Sequence, residues 1–338
     1  MNKVMNICLI SDDKFVEYIA TLIVSILKNS SENDNFCFHI IEDGIVEENK
    51  NKLLMLKEIK DFEIKFYKPN YDNVEKYKKW QETFKKNGDP VWHYSVFIKL
   101  DIPIILKDLD NVLFIDADSI VLGSLDYIFD IDISNCSFVS QISYFKYLKK
   151  LYPNLYKYML DIGYKKPEYD YIFGQVLFFN IKRIKEIFTE ESYYNKIDEC
   201  IDKYINLIHT EEHIFLYLFK ENNVYLDLKT DLNNGTEKII ISGYFAGDGK
   251  PLNYGFNGEI NEYYYKFWEY FSLTPFFKEN TIKYMEILSI NRTRMALCKI
   301  VDKMVWIIPF KKMRDKIRKN IIKDIDEIMK NMSNIKII

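Results

Sequence analysis

Residues 113–122 read Leu113-Phe114-Ile115-Asp116-Ala117-Asp118-Ser119-Ile120-Val121-Leu122. A short continuous apolar run is the pattern of a strand buried on both faces, so Val112 to Ile115 is expected to be a central strand of a mostly parallel sheet. Two carboxylates follow at its carboxyl end, the edge where open α/β sheets place their ligands. If the segment stays extended, alternation points Asp116 and Asp118 to one side. Two hard oxygen ligands, with room for water and phosphate, suit Mg²⁺ or Mn²⁺ holding a phosphorylated substrate. The plain alternative is that both Asp residues only turn the chain or cap the next segment.

Upstream, Asn6 to Ser11 is a short apolar strand ended by Asp12-Asp13, and Phe15 to Lys28 carries apolar residues at helical spacing. Phe36 to Ile41 and Phe62 to Phe66 read as further strands with a Lys/Glu-rich helix between them. This alternation predicts βαβ units with right-handed crossovers. Asn70 to His93 is polar and aromatic and holds the loop signal Asn87-Gly88-Asp89-Pro90, so a lid or acceptor-facing segment is expected there. Tyr94 to Leu106 reads as a helix broken near Pro103.

Downstream, Ser137 to Ser140 and Gly174 to Asn180 are expected strands, and Tyr144 to Asp161 is aromatic, Lys-rich helical sequence. A helix follows from Lys182, and another opens at Glu211-Glu212-His213 with Thr210 as its N-cap. Val224 to Leu226 and Ile239 to Ile241 are short strand candidates. Gly243 to Gly258 holds five of the eleven glycines, which marks backbone approaching a ligand or a tight loop.

An apolar content of 48% over 338 residues allows one large α/β domain with an appendage. The net charge of -3 gives no global attraction for nucleic acid. Cys8, Cys37, Cys136, Cys200 and Cys298 form no C-x-x-C pair, which argues for a reducing compartment and against structural zinc. No signal-peptide pattern and no apolar run of ~18 residues is present, so a cytoplasmic protein is expected. The 26 Tyr and 24 Phe offer ring faces for sugars and bases, although a biased genome explains the same abundance.

From Asn291 the character changes. Residues 291–338 carry thirteen basic side chains against five acidic ones, and a basic amphipathic run (Lys311 to Lys323) follows an apolar one with Trp306 (Met304 to Phe310). Such a segment is either an interfacial helix drawn to anionic lipid or a packed helix with a solvated basic face.

Four segments together resemble the retaining family 8 glycosyltransferases, the group that includes bacterial lipopolysaccharide galactosyl- and glucosyltransferases and glycogenin. They are Asn6 to Asp13, Phe97-Ile98-Lys99-Leu100-Asp101-Ile102-Pro103, Phe114 to Asp118, and Gly247-Asp248-Gly249-Lys250-Pro251. The resemblance implies a GT-A-type fold, with residues 1–270 as the nucleotide-sugar-binding catalytic domain and 271–338 as a basic, aromatic helical appendage. It implies transfer of a glucose- or galactose-type hexose from a UDP-sugar, with retention, to a glycan or lipid-linked glycan. Mn²⁺ or Mg²⁺ would sit on Asp116 and Asp118. Ile10, Ser11 and Asp12 would receive the nucleoside, and Asp116, Ala117, Gln175, Gly247 and Lys250 would complete the donor site. Lys99 stands where the family has Arg, keeping the positive charge but losing the bidentate fork.

Three departures matter. Tyr244 replaces the His that is the family's third metal ligand, and a neutral phenol ligates Mg²⁺ or Mn²⁺ poorly. Water, Asp248 or a weakened site would follow. Phe173-Gly174-Gln175 replaces Asn-Ala-Gly, which moves a donor-sugar contact to Gln175. Glu211-Glu212-His213 replaces D-Q-D, so Glu212 brings a carboxylate to the expected reacting face, as nucleophile or as stabiliser of positive charge. Helix-dipole compensation explains Glu211 and Glu212 equally well. Two other classes stay open: a haloacid-dehalogenase-type phosphatase with Asp116 as nucleophile, and a non-catalytic nucleotide-sugar-binding protein. Ile120 in place of Thr or Val, and the late position of the motif, count against the phosphatase.

Overall fold

The computed structural model describes residues 4–87, 92–143, 146–169, 171–220, 240–241, 250–253, 261–306 and 308–333. The chain opens with β1 (Val4–Asp12), α1 (Val16–Lys28), β2 (Asn35–Asp43), α2 (Glu47–Met55), β3 (Glu63–Tyr67) and α3 (Tyr71–Asn87). A 3₁₀ helix (Tyr94–Asp101) runs into the short α4 (Ile102–Ile105), then come β4 (Asn111–Ile115), β5 (Ile120–Val121) and α5 (Asp126–Phe129). Next are β6 (Phe138–Ser143), α6 (Leu148–Leu151), α7 (Pro153–Asp161), β7 (Tyr171–Asn180), α8 (Ile181–Ile187), α9 (Glu190–Tyr204) and α10 (Glu211–Phe219). The two-residue β8 (Ile240–Ile241) precedes α11 (Glu262–Phe271), α12 (Pro275–Glu279), α13 (Thr281–Val305) and α14 (Lys311–Ser333).

Six strands form one sheet in the order β3-β2-β1-β4-β7-β6. β3, β2, β1 and β4 run parallel, whereas β7 is antiparallel to β4 and β6. The chain leaves β1 toward β2 on one side and reaches β4 on the other. The crevice beyond the ends of β1 and β4 is therefore a topological switch point, where such sheets bind ligands. β5 and β8 pair separately, just after Asp118.

Alternation along the strands separates two apolar layers. Leu9, Leu113, Ile115, Val176 and Phe178 pack with α1 and with Phe267, Phe271 and Tyr284 from α11 and α13. Cys8, Val112, Phe114, Leu177 and Phe179 face the opposite way and pack with Tyr77, Phe97, Tyr193 and Phe215. Helices on both faces make the sheet interior dry, which is why these strands read as apolar runs rather than as half-polar ones. α1 is covered on nearly every side, so almost all of its residues from Val16 to Leu27 are buried.

Several expectations shift. The chain leaves the strand at Ile115, and Ala117 and Asp118 lie in a turn, so alternation is not what sets the direction of Asp116 and Asp118. The stretch Asn70 to His93, expected as a lid or acceptor-facing segment, holds the helix α3 rather than only loop, and its Trp92 lines the cavity described below. Its Tyr77, Trp80 and Phe84 form a buried stripe at helical spacing, which the Lys-rich composition obscured. The helix expected over Tyr94 to Leu106 is mainly 3₁₀. The strand candidate Val224 to Leu226 lies outside the described residues, as does most of the Gly-rich stretch.

The β2 residue His39 is 1% exposed, with Nε2 3.0 Å from Asn6 Oδ1 and Nδ1 3.0 Å from the Tyr67 hydroxyl. A neutral ring that donates to Asn6 and accepts from Tyr67 satisfies both. Burial, reinforced by Lys65, lowers its pKa from 6.5 to about 4. The folded value lies below the unfolded one, so this stabilisation is full above pH 6.5 and is lost as the pH falls toward 4. The gap corresponds to about 3 kcal/mol. Urea unfolding at pH 7 and pH 4.5 should show a loss in the wild type that His39→Gln largely lacks; equal losses would refute the assignment.

Candidate active site

The turn after β4 puts Asp116 at the mouth of the switch-point crevice. Its N–H donates to the Gln175 carbonyl at 2.8 Å, continuing the β4–β7 ladder by one residue. The Asp116 carboxylate meets the Lys99 ammonium at 3.1 Å, and the same nitrogen donates to Glu211 Oε1 at 2.8 Å and to the Gly174 carbonyl at 3.0 Å. Lys99 is 5% exposed and lies 5.1 Å from the centre of the Phe114 ring. Burial works against its charge, but Asp116 and Glu211 outweigh it and hold the ammonium protonated. For Asp116, burial pushes the carboxyl pKa up, opposed by Lys99 and aided by Asp118 and Glu211.

The 3₁₀ helix that carries Lys99 is itself anchored. Asp101 Oδ1 accepts from Asn73 Nδ2, the Tyr77 hydroxyl and the Tyr194 hydroxyl at 2.8 to 2.9 Å, and the Tyr193 hydroxyl donates to the Leu100 carbonyl. These bonds tie α3 and α9 to the segment that presents the cation.

Glu211 and Glu212 form the first turn of α10, where the helix dipole favours them. Glu212 Oε1 accepts the Gly174 N–H at 2.6 Å, and its Oε2 accepts the Tyr171 hydroxyl at 2.8 Å. Both oxygens are thereby fixed. Burial and then Glu211 raise its pKa, while the Gly174 and Tyr171 donors oppose the rise. A Cβ on Gly174 would stand 2.7 Å from Glu211 Oε1 and 3.0 Å from Glu212 Cγ, so any side chain here would have to push the two carboxylates aside. Thr210 has the extended backbone of an N-cap, but its buried hydroxyl makes no cap bond, contrary to expectation.

Lys99, Asp116, Gln175, Glu211 and Glu212 all line one cavity of about 320 Å³. Trp92, Tyr152, Tyr171, Phe173 and His209 give it an aromatic wall that was not foreseen. Tyr171, Phe173 and Gln175 are alternate residues of β7, so the period of two counted back from Gln175 was the available signal. Asp118 and Lys250 are not part of that lining. They pair with each other at 2.5 Å, with Lys250 over the Phe15 and Tyr18 rings at the start of α1.

Ile10, Ser11 and Asp12 end β1, and Asp12 Oδ1 accepts the N–H groups of Lys14 and Phe15, so it also shapes the turn into α1. Ala117 is partly buried and packs against the apolar core. Tyr244 and Gly247 lie outside the described residues.

Among the described residues no group of three His, Cys, Asp or Glu side chains is arranged as a metal cage. The donor set still fits a divalent ion that keeps water or substrate oxygens. Asp116 and Asp118 are hard carboxylates, 25% and 19% exposed, and each is already matched to a cation.

The family model for glycosyl transferase family 8 matches residues 6–232. The chain belongs to this family. A curated protein of Haemophilus influenzae, provisionally described as a glycosyltransferase, is 25% identical over 218 residues, covering 64% of this chain and 59% of its own length. Among solved structures, the family-8 chain resembles the galactosyltransferase LgtC in complex with donor and acceptor sugar analogues (TM-score 0.62, 19% identity, 80% of this chain and 96% of that one). It also resembles the bifunctional glycosyltransferase WbbM (TM-score 0.60, 18% identity, 84% of this chain and 52% of that one). These structures share its fold, a mostly parallel GT-A-like sheet flanked by helices, here followed by a C-terminal helical region.

Removing one partner of a buried ion pair leaves the others uncompensated. Lys99→Met should therefore lower the stability measured by urea unfolding by about 3 kcal/mol. Adding Glu211→Leu should recover part of that loss; a neutral single variant would contradict the network. Gly174→Ala should stay folded, because flexible carboxylates can yield. It should nevertheless displace Glu211 and Glu212, which would be seen as new side-chain positions in a crystal structure of the variant.

Proposed function

We propose that this family-8 enzyme transfers a hexose of the glucose or galactose type from a UDP-sugar to a glycan or lipid-linked glycan, with retention at the anomeric carbon. The observation that carries the reading is the cavity in which Asp116 of the D-x-D turn, Lys99 and the Glu211–Glu212 pair converge at the switch point of the sheet. In this reading Ile10, Ser11 and Asp12 receive the nucleoside, and Ala117, Gln175 and Gly247 approach the donor. Residues 1–270 act as the catalytic domain, and 271–338 as the helical appendage.

Asp116 and Asp118 are the residues that would hold Mn²⁺ or Mg²⁺, with Tyr244 or water in a third position. A bound divalent ion supplies charge neutralisation for the departing diphosphate. Lys250 pairs with Asp118 beside the turn, and its ammonium would add positive charge for the diphosphate. Lys99 keeps positive charge at the floor of the cavity. Glu212, with both oxygens held by Tyr171 and Gly174, is the carboxylate we assign to the reacting face, as nucleophile or as stabiliser of oxocarbenium-like charge. The aromatic wall suits the apolar faces of sugar rings. On the acceptor side, we place the protein in the cytoplasm, peripheral on the inner face of the membrane, where it would serve lipopolysaccharide-type assembly. The family membership and the pairing of Asp116 with Lys99 weigh against a phosphatase that uses Asp116 as nucleophile.

Calorimetric titration with UDP, with and without Mn²⁺, tests the proposal. Metal-dependent binding at micromolar concentration, lost in Asp118→Ala, is the expected result. Hydrolysis of one UDP-hexose over others should then identify the donor. Absence of UDP binding under both conditions would overturn the reading, and metal-independent binding without turnover would favour a non-catalytic binder.

A further inference from the structure

α13 and α14 form an antiparallel hairpin. Arg294 pairs with Asp326 at 2.7 Å, Arg318 pairs with Asp302, and the Arg314 guanidinium lies 5.2 Å from the centre of the Trp306 ring. The partners run in opposite directions along the two helices, as two helices joined by a short loop require. Between them Ile290, Val301 and Val305 of α13 meet Ile325 and Met329 of α14, with Leu297, Ile317 and Ile321 packed alongside. The apolar stripe of α14 is thus spent on α13. A helix lying flat on a lipid surface needs that stripe for the lipid, so the basic run Lys311 to Lys323 does not offer such a face.

The tip of the hairpin is different. Met304 is 63% exposed, Trp306 74%, Phe310 69% and Met313 48%, and Pro309 beside them is exposed too. Lys303, Lys311, Lys312 and Lys316 neighbour them in the sequence, all exposed, and Asp302 and Asp315 are the acidic residues within the same stretch. The chain as a whole is slightly acidic, so this cluster is a local inversion of charge. Large aromatic and Met side chains inside a basic collar match the boundary of an anionic bilayer, with rings at the headgroup level and ammonium groups on the phosphates. No helix among the described residues is long and apolar enough to cross a membrane, so the contact is superficial.

We infer that the α13–α14 tip, centred on Trp306 and Phe310, is a membrane-inserting wedge that docks the enzyme end-on to an anionic lipid surface. The inference rests on the membrane-face part of the proposed function and names the element responsible. It is independent of the donor chemistry.

Co-sedimentation of the full chain with vesicles of phosphatidylcholine alone, and with phosphatidylglycerol added, tests it. Binding should need the anionic lipid and weaken as salt is raised. Trp306→Ser combined with Phe310→Ser should lower the partition coefficient by about tenfold or more. Both residues are exposed and only the Arg314–Trp306 contact is lost, so the thermal midpoint should fall only slightly, and UDP titration of the same variant should match the parent. Exchanging Lys319 and Lys323, which lie further along α14, for Gln should have a smaller effect than exchanging Lys311 and Lys312. Anionic-vesicle binding that survives the tip variant overturns the wedge alone. Absence of vesicle binding by the parent overturns the membrane-face reading with it, while leaving the UDP result to judge the transferase. A parent that forms dimers abolished by the tip variant, without vesicle binding, would assign the surface to a second copy instead.

Discussion

The candidate site depends on one buried cation. Lys99 reaches Glu211 across 112 residues of sequence, and it also meets Asp116 and the Gly174 carbonyl. Four segments therefore converge on one ammonium: the 3₁₀ helix, the end of β4, the strand β7 and the start of α10. A buried charge is tolerated only with such partners, and burial works against the charge of Asp116 as well, so each of the two ions needs the other. The network sets where the carboxylates stand before any donor arrives. Lys in the place of Arg has a local consequence: a compact ammonium takes three acceptors in different directions, whereas a planar fork would favour one carboxylate.

The sheet supplies the frame for this network. β1 and β4 lie side by side and parallel, so Asp12 and Asp116 emerge at the same edge although about a hundred residues separate them in the chain. β7 runs the other way between β4 and β6, which brings Tyr171, Phe173 and Gln175 to that edge from its N-terminal half. Gly174 lies among them with its N–H on Glu212 and its carbonyl on Lys99. Its lack of a side chain lets α10 close on the strand. The aromatic wall, the carboxylate floor and the cation are consequences of strand order and direction.

The C-terminal hairpin shows how a sequence pattern can be used twice over. The amphipathic period of α14 is genuine, and its apolar side is satisfied within the chain by α13. The residues left exposed cluster at the turn, where neither helix can cover them. Composition alone reported a basic and apolar segment; only the packing separated the side chains that are spent from those that remain.

Much of the fold was legible from local pattern. The apolar runs at Asn6, Phe36, Phe62, Val112 and Gly174 mark strands because a sheet covered on both faces demands them, and Asp116-Ala117-Asp118 marks the turn after the central one. The helix α3 was hidden because its buried stripe of Tyr77, Trp80 and Phe84 is diluted by Lys and Glu on the solvent side. The candidate site was half legible. Lys99, Asp116, Gln175, Glu211 and Glu212 came from motif resemblance, whereas Trp92, Tyr152 and His209 carry no local signal. The sequence by itself determined which segments extend, which coil and where carboxylates end a strand, because those choices follow from periods of two and 3.6 among near neighbours. Tertiary structure decided which charges neutralise each other and which apolar stripes are covered, because those contacts depend on strand order and helix docking between residues far apart in the chain.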